Sequence, residues 1–266
     1  MTRHFAPIPA SSQPLDLRPR FQRIAVRCLM IGLIAAGHSV GSGAAQASTR
    51  VGAQGPSTAQ APGTRTIYLI RHGHYHEDDS RDAEVGKALT PLGLEQAGLV
   101  ARRLAALPVP ITRIHCSTMT RARQTAAVIA RALPGRALLP SRDLRECTPA
   151  GVGETPSGSS PAEMKECREQ LERAFRRYFR PTSGRDSSEV IACHGNVIRY
   201  FWCRALGADP RLWRNLRIAH CSLTVVEVRP DGVMRPISFN DVGHLPPKMQ
   251  TYASPAAIAP EAIPRR

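Results

Sequence analysis

The chain has 266 residues, 42% of them hydrophobic and 21% charged. That mix suits a folded globular domain and excludes a disordered chain. No run of 18 uninterrupted apolar residues occurs, which excludes a multi-span helical membrane protein. The formal charge is +15, from 36 Lys+Arg against 21 Asp+Glu, with Lys87, Lys165 and Lys248 the three lysines. The arginines are scattered and not gathered into a stripe, so no nucleic-acid partner is expected. An excess of this sign favours an anionic substrate.

The N-terminal segment reads as a targeting sequence. Arg18, Arg20, Arg23 and Arg27 precede the apolar stretch Cys28 to Ala36, and small residues lead to Ala45-Gln46-Ala47. A basic region, a short apolar core and an A-x-A site define a secretory signal peptide. Residues 1–47 are therefore expected to be a cleaved signal peptide, giving a periplasmic or secreted protein. An uncleaved membrane anchor and a mitochondrial presequence are the alternatives, and a membrane contact follows only for the anchor. Without residues 1–47 the formal charge is still +11, since five Arg and one Asp are lost. Residues 48–65 are polar and Gly/Pro-rich, a flexible linker. The tail 248–266 has the same character and is expected to be disordered. The catalytic domain is placed at 66–247. Seven cysteines occur and none has C-x-x-C spacing, so a zinc site is not expected. Cys193 and Cys203 read as buried thiols, and sequence assigns no disulfide pairing.

Between the linker and the tail, strands alternate with helices. Thr66 to Ile70 is a β-rich apolar run. Thr90-Pro91 caps a helix that runs to Leu107. Arg113 to Ser117 predicts a short strand and Thr118 to Leu133 a helix, stopped by Pro134-Gly135. Ala137 to Leu139 predicts another strand, and Gly151 to Pro161 a loop. Ala162 to Arg180 is an amphipathic helix. Val190 to Cys193 is a buried strand, followed by a helix over 195–206. Ser222 to Val228 and Val233 to Phe239 form a hairpin across Pro230-Asp231-Gly232. This alternation predicts one α/β domain, a three-layer α/β/α sandwich with a mainly parallel central sheet. Ligands then bind beyond the carboxyl ends of the strands.

Three of those ends carry reactive groups. The first strand ends Arg71-His72-Gly73, the second at Ser117 with Arg121 a turn further on, and the buried strand at His194-Gly195-Asn196. Arginine binds phosphate oxygens through a planar fork and stays charged. A neutral histidine nitrogen attacks phosphorus, and a second histidine donates to the same oxyanion. Ser117 is either a phosphate donor or a helix cap, and Asn196 either a site contact or a cap.

The sequence resembles the histidine phosphatase superfamily, which includes the cofactor-dependent phosphoglycerate mutases. The resemblance rests on Leu69-Ile70-Arg71-His72-Gly73, Leu89-Thr90-Pro91 with Gln96-Ala97, Ser117 with Arg121-Ala122 and Thr125-Ala126, Leu144 with Glu146, and His194-Gly195-Asn196-Val197-Ile198-Arg199. Ala192 to Tyr200 with Cys203 to Leu206 resembles most the mitochondrial phosphoglycerate-mutase-like Ser/Thr protein phosphatases and their bacterial relatives. No Trp precedes Trp202, so that subfamily's Trp-containing multimerisation motif is not carried over.

The resemblance implies a phosphoglycerate mutase-like fold and a metal-independent phosphomonoester hydrolase working through a phosphohistidine, with no cofactor. It makes His72 the nucleophile, Arg71, Arg121 and His194 the phosphoryl clamp, and Glu146 the acid and base. Glu77, Asp78 and Asp79 are rivals for the acid. Phosphate nearby raises the pKa of such a carboxyl. His74 and His76 read as solvated or rim groups, and Arg123, Arg142 and Arg145 as solvated residues, with substrate guidance the lesser alternative. Just 47 residues separate Glu146 from His194, too few for the long insertion that encloses a mutase site. An open site favours hydrolysis of a phosphopeptide or a small phosphoester. A mutase and a non-catalytic phosphate-recognition protein are the competing readings.

Overall fold

A computed structural model describes residues 61–152 and 158–252. The signal-peptide reading of 1–47, most of the linker and most of the tail lie outside the described residues.

Six strands form one sheet in the order β3-β2-β4-β1-β5-β6. β1 (Arg65–Arg71), β2 (Arg113–Ser117), β3 (Leu138–Ser141) and β4 (Ser187–Cys193) are mutually parallel. β5 (Leu223–Val228) pairs antiparallel with β1, and β6 (Met234–Asp241) antiparallel with β5. The helices are α1 (Pro91–Ala105), α2 (Thr120–Ala132), α3 (Pro161–Tyr178) and α4 (Gly195–Ala205).

The pleat sorts β1 between two cores. Ile67 and Leu69 pack with Leu171, Phe175, Val197 and Phe201, on the side of α3 and α4. Tyr68 and Ile70 pack with Val100, Leu104, Ala126 and Ile129, on the side of α1 and α2. Helices thus cover both faces of a mixed sheet, and the three-layer expectation holds.

Local chemistry explains most boundaries. Thr90 caps α1 by accepting from the Gly93 N–H, with Pro91 at the first turn. Ser160 and Glu163 form a reciprocal capping box on α3. The β5–β6 hairpin closes through Gly232 N–H to Arg229 O, with Gly232 at φ 81°.

Of the boundaries that differ from expectation, three have a clear local cause. α2 starts at Thr120, not Thr118, because Ser117 to Met119 make a turn in which the Met119 N–H donates to Ser117 Oγ. β1 starts at Arg65, and Gly63 already pairs with Thr182, so the ordered domain reaches back into the expected linker. The tail is also ordered to Tyr252. A 3-10 turn covers Pro247–Met249, Tyr252 bridges to Ala219, and Gln96 Nε2 donates to Met249 O at 2.7 Å. Gln96 is itself fully buried, so its amide needs partners, and the tail supplies them.

Candidate active site

Register sets the site. Arg71 lies opposite Cys193 and Cys116 opposite Ala192, so the next residues of all three strands, His72, His194 and Ser117, meet at one sheet edge. The His72 N–H donates to Cys193 O at 3.0 Å, and the Gly73 N–H to Thr125 Oγ1 at 3.1 Å. The rings of His72 and His194 are 5.1 Å apart, centre to centre. A Cβ on Gly93 would overlap the His74 carbonyl oxygen. Two glycines, 73 and 93, therefore let α1 press its first turn onto the loop after His72.

Hydrogen bonding assigns the proton on the His72 ring. His72 Nδ1 sits 2.9 Å from the Gly73 carbonyl oxygen, which can only accept. The proton is therefore on Nδ1, and Nε2 carries the lone pair. Arg121 Nε donates to that Nε2 at 3.1 Å. Ser117 Oγ accepts from Met119 and lies 2.8 Å from His194 Nε2. His194 Nδ1 is a buried atom with no partner in the protein. Arg71 Nε and Arg121 Nη1 are likewise buried and unpartnered, while Arg71 Nη1 donates to Ile218 O at 2.7 Å. These N–H donors converge on an anion's place.

Burial, then the charges of Arg121, His194 and Arg71, hold His72 well below its ordinary pKa. Burial, then Arg121 and Arg71, do the same to His194. Both rings are neutral at neutral pH. Burial raises the pKa of Glu146, against the opposing pull of Arg121, Arg199 and Arg71. The carboxylate accepts from the Asn196 N–H at 3.2 Å. It thus stands at the start of α4, near Arg121, Arg199 and Arg71, and keeps a proton more readily than an exposed glutamate.

Ser117 and Asn196 act on neighbours. The Ser117 hydroxyl is committed to His194 and Met119. Asn196 Nδ2 donates to Cys147 O at 2.9 Å, and its Oδ1 accepts from Arg199. Asn196 is not the α4 cap, a position His194 occupies. Of the rival acids, Glu77 is near enough for its charge to act on Arg71 and Tyr75. Glu77 and Asp78 are exposed, and Asp79 is paired with Arg81 at 2.7 Å. His76 is exposed, but His74 is half-buried, with Nδ1 2.9 Å from Thr90 Oγ1. Arg123, Arg142 and Arg145 converge on Glu84: Arg145 Nη1 is 2.9 Å and Arg142 Nη1 3.8 Å from its carboxylate, and Arg123 donates to its backbone oxygen. Arg123 and Arg142 are exposed, as expected for solvated residues, and Arg145 is half-buried.

Two site residues were not read from the sequence. Tyr75 lies edge-on to His72 at 5.0 Å, under the Arg121 guanidinium at 4.9 Å. His220 lies 5.5 Å from His72. No local pattern marks either; His220 precedes β5 and arrives by the β1–β5 pairing. Among the described residues, one disulfide is present, Cys147–Cys167, while Cys116, Cys193, Cys203 and Cys221 are free and buried. Among the described residues, no group of three His, Cys, Asp or Glu side chains is arranged to hold a metal ion.

A parallel-sheet edge with two neutral histidines, converging guanidinium groups and a protonatable carboxyl defines a phosphoryl-transfer site. Residues 67–152 and 149–241 match the model of the Histidine phosphatase superfamily (branch 1). The chain is 40% identical over 206 residues to the Caenorhabditis elegans "Serine/threonine-protein phosphatase Pgam5, mitochondrial", covering 73% of this chain and 68% of that protein. It is 39% identical over 193 residues to the Homo sapiens "Serine/threonine-protein phosphatase PGAM5, mitochondrial", covering 71% of this chain and 66% of that one. Among solved structures, the phosphoglycerate mutase of Bacillus anthracis superimposes with a TM-score of 0.51 at 14% identity, covering 69% of this chain and 96% of that one. That likeness carries the fold. The chain belongs to the histidine phosphatase superfamily, and it is a phosphatase.

Proposed function

We propose that the chain hydrolyses phosphoserine or phosphothreonine esters in proteins, with His72 as nucleophile. The observation that carries this is the fixed tautomer of His72, which leaves Nε2 unprotonated beside Arg121. In the first step the Nε2 lone pair forms a bond to phosphorus, and the ester P–O bond breaks. Glu146 gives its proton to the departing alkoxide. In the second step the Glu146 carboxylate takes a proton from water, whose oxygen attacks phosphorus. The N–P bond breaks, and neutral His72 and inorganic phosphate are released. Arg71, Arg121 and His194 hold the phosphoryl oxygens throughout.

The protein-substrate reading is supported by the names of the relatives and by the short connection between Glu146 and His194, most of which is α3. Purified chain is incubated with phosphoseryl and phosphothreonyl peptides and with small phosphoesters, and acid-labile phosphohistidine is trapped. Turnover of peptides with label on His72 is expected. Faster turnover of small esters alone would assign a small-molecule phosphomonoesterase, and label elsewhere would overturn the nucleophile.

For location, the proposal is an oxidising compartment outside the cytosol. The Cys147–Cys167 disulfide and the Arg-rich N-terminus support it. The relatives' names carry the word mitochondrial. N-terminal sequencing after fractionation distinguishes export, starting near Ser48, from a mitochondrial product. An intact cytosolic chain would refute both.

A further inference from the structure

We propose that His220 is a third histidine of the phosphoryl pocket, donating a hydrogen bond from Nε2 to an oxygen of the transferred group. The proposal rests on the phosphohistidine reading above and adds a substrate contact to it.

The proton position follows from a chain of four groups. The His74 N–H donates to Gln96 Oε1 at 2.8 Å, which fixes the orientation of that amide. Gln96 Nε2 then donates to Thr251 Oγ1 at 2.9 Å. The Thr251 hydroxyl has one hydrogen, and His220 Nδ1 lies 2.9 Å from its oxygen. We place that hydrogen on the bond to Nδ1, the arrangement that leaves the imidazole proton on Nε2. Burial, then the charge of Arg71, lowers the pKa of His220 to about 2, so the ring is neutral with one N–H.

That Nε2 is buried and has no partner in the protein. A buried donor without an acceptor carries a desolvation cost, on the order of 1–3 kcal/mol. The surroundings supply no acceptor but do supply the reaction centre. The His220 ring is 5.5 Å from His72, 5.6 Å from His74 and 6.0 Å from Tyr75. A phosphoryl group on His72 bridges such a gap. The backbone holds this placement firmly. Cys221 adopts φ 51°, a left-handed conformation costly for cysteine, and its N–H reaches the carbonyl oxygens of Arg71 and His72 at 3.0 and 3.3 Å. The His220 N–H donates to Thr251 O at 2.9 Å. The segment Met249 to Tyr252 thus holds the His220 ring in place through Thr251.

The test compares the full chain with His220→Leu, which removes the donor, and His220→Gln, whose amide places an N–H near the same point. Orthovanadate binding and kcat/KM on p-nitrophenyl phosphate are measured, with melting temperature as a check on folding. His220→Leu should weaken both about tenfold to hundredfold, the range for a hydrogen bond to a charged group. His220→Gln should recover most of that loss. Equal losses in the two variants would mean packing alone and would overturn the proposal, as would unchanged orthovanadate affinity. Nitrogen-15 NMR of the wild-type ring tests it without a variant: protonated Nε2 that shifts on orthovanadate addition is expected, and Nδ1 protonation or no shift would refute it. Orthovanadate binding does not need turnover, so activity surviving in His72→Ala would overturn the nucleophile reading and leave this result separate.

Discussion

Arg121 Nε donates to His72 Nε2 across 3.1 Å, the one ring atom of His72 that carries a lone pair. If His72 is the nucleophile, as proposed, the guanidinium stands where phosphorus would bond to that nitrogen. Arg121 Nη1 remains unpartnered beside it. Lysine has the charge but not the fork. Arg121→Ala is expected to lower kcat/KM by roughly a hundredfold, from the loss of a charged donor and the exposure of its partner. Arg121→Lys should recover less than a tenth of the loss. Full recovery by lysine, in steady-state assays on an aryl phosphate, would show that charge alone matters.

Glu146 must be protonated to act as acid in the first step. Burial raises its pKa, which widens the pH range in which it holds the proton. His72 is depressed well below 6.5 and so stays a free base through mildly acid pH. The turnover of alkyl phosphates should thus be greatest on the acid side of neutrality and fall as pH rises through the Glu146 pKa. Glu146→Gln should abolish that limb and cost alkyl esters about 10²–10⁴ in rate. Aryl esters should lose less, because a phenolate leaves without a proton. Equal losses on both ester types would move the acid elsewhere.

The reactive strand ends were legible because each is local: a short apolar run followed by Arg-His-Gly, Ser with Arg a turn on, or His-Gly-Asn. The helix from Thr90-Pro91 was legible from its cap. His220 was not, since its neighbours come from β1 and from the tail, far apart in sequence. The tail itself looked too polar to order. It is ordered to Tyr252 through hydrogen bonds to Gln96 and His220, and no apolar pattern announces such bonds. Ser117 illustrates the same limit. Its type suggested a donor to phosphate, but its position two residues before Met119 and opposite His194 directs the hydroxyl to the ring. Cysteine spacing could not pair Cys147 with Cys167, because α3 brings them together.

Three buried histidines should make the fold acid-sensitive. His72 and His194 are held well below 6.5, and His220 at about 2. The unfolded chain binds protons at these rings below about 6.5 while the folded chain does not. Stability is therefore full above pH 6.5 and falls as pH drops beneath it. Each such ring contributes about 1.4 kcal/mol per pH unit once well below 6.5. Glu146 acts oppositely, since its raised pKa lets the folded state take up a proton first, but it is one group against three. Urea unfolding at pH 7, 6 and 5 should show a steep loss. A flat profile would mean that the rings are protonated in the folded state.

The disulfide joins the residue after the acid, Cys147, to α3 at Cys167, with a sequence separation of 20. The same loop is held by Asn196 Nδ2 on Cys147 O and by Gln170 Nε2 on Arg145 O, both at 2.9 Å. Closing a loop of that size constrains the unfolded chain and is worth on the order of 2–4 kcal/mol. The four other described cysteines are free and buried, so a reductant acts first on this bond. Dithiothreitol, or the paired substitution Cys147→Ser with Cys167→Ser, should lower the melting temperature. It should also slow alkyl phosphate hydrolysis more than aryl, because the freed loop carries Glu146 away from the leaving oxygen. His72 is held by β1 and the Cys193 carbonyl, so phosphohistidine formation from an aryl ester should persist. An alkyl-to-aryl ratio unchanged by reduction would show that Asn196 and Gln170 suffice to hold the acid.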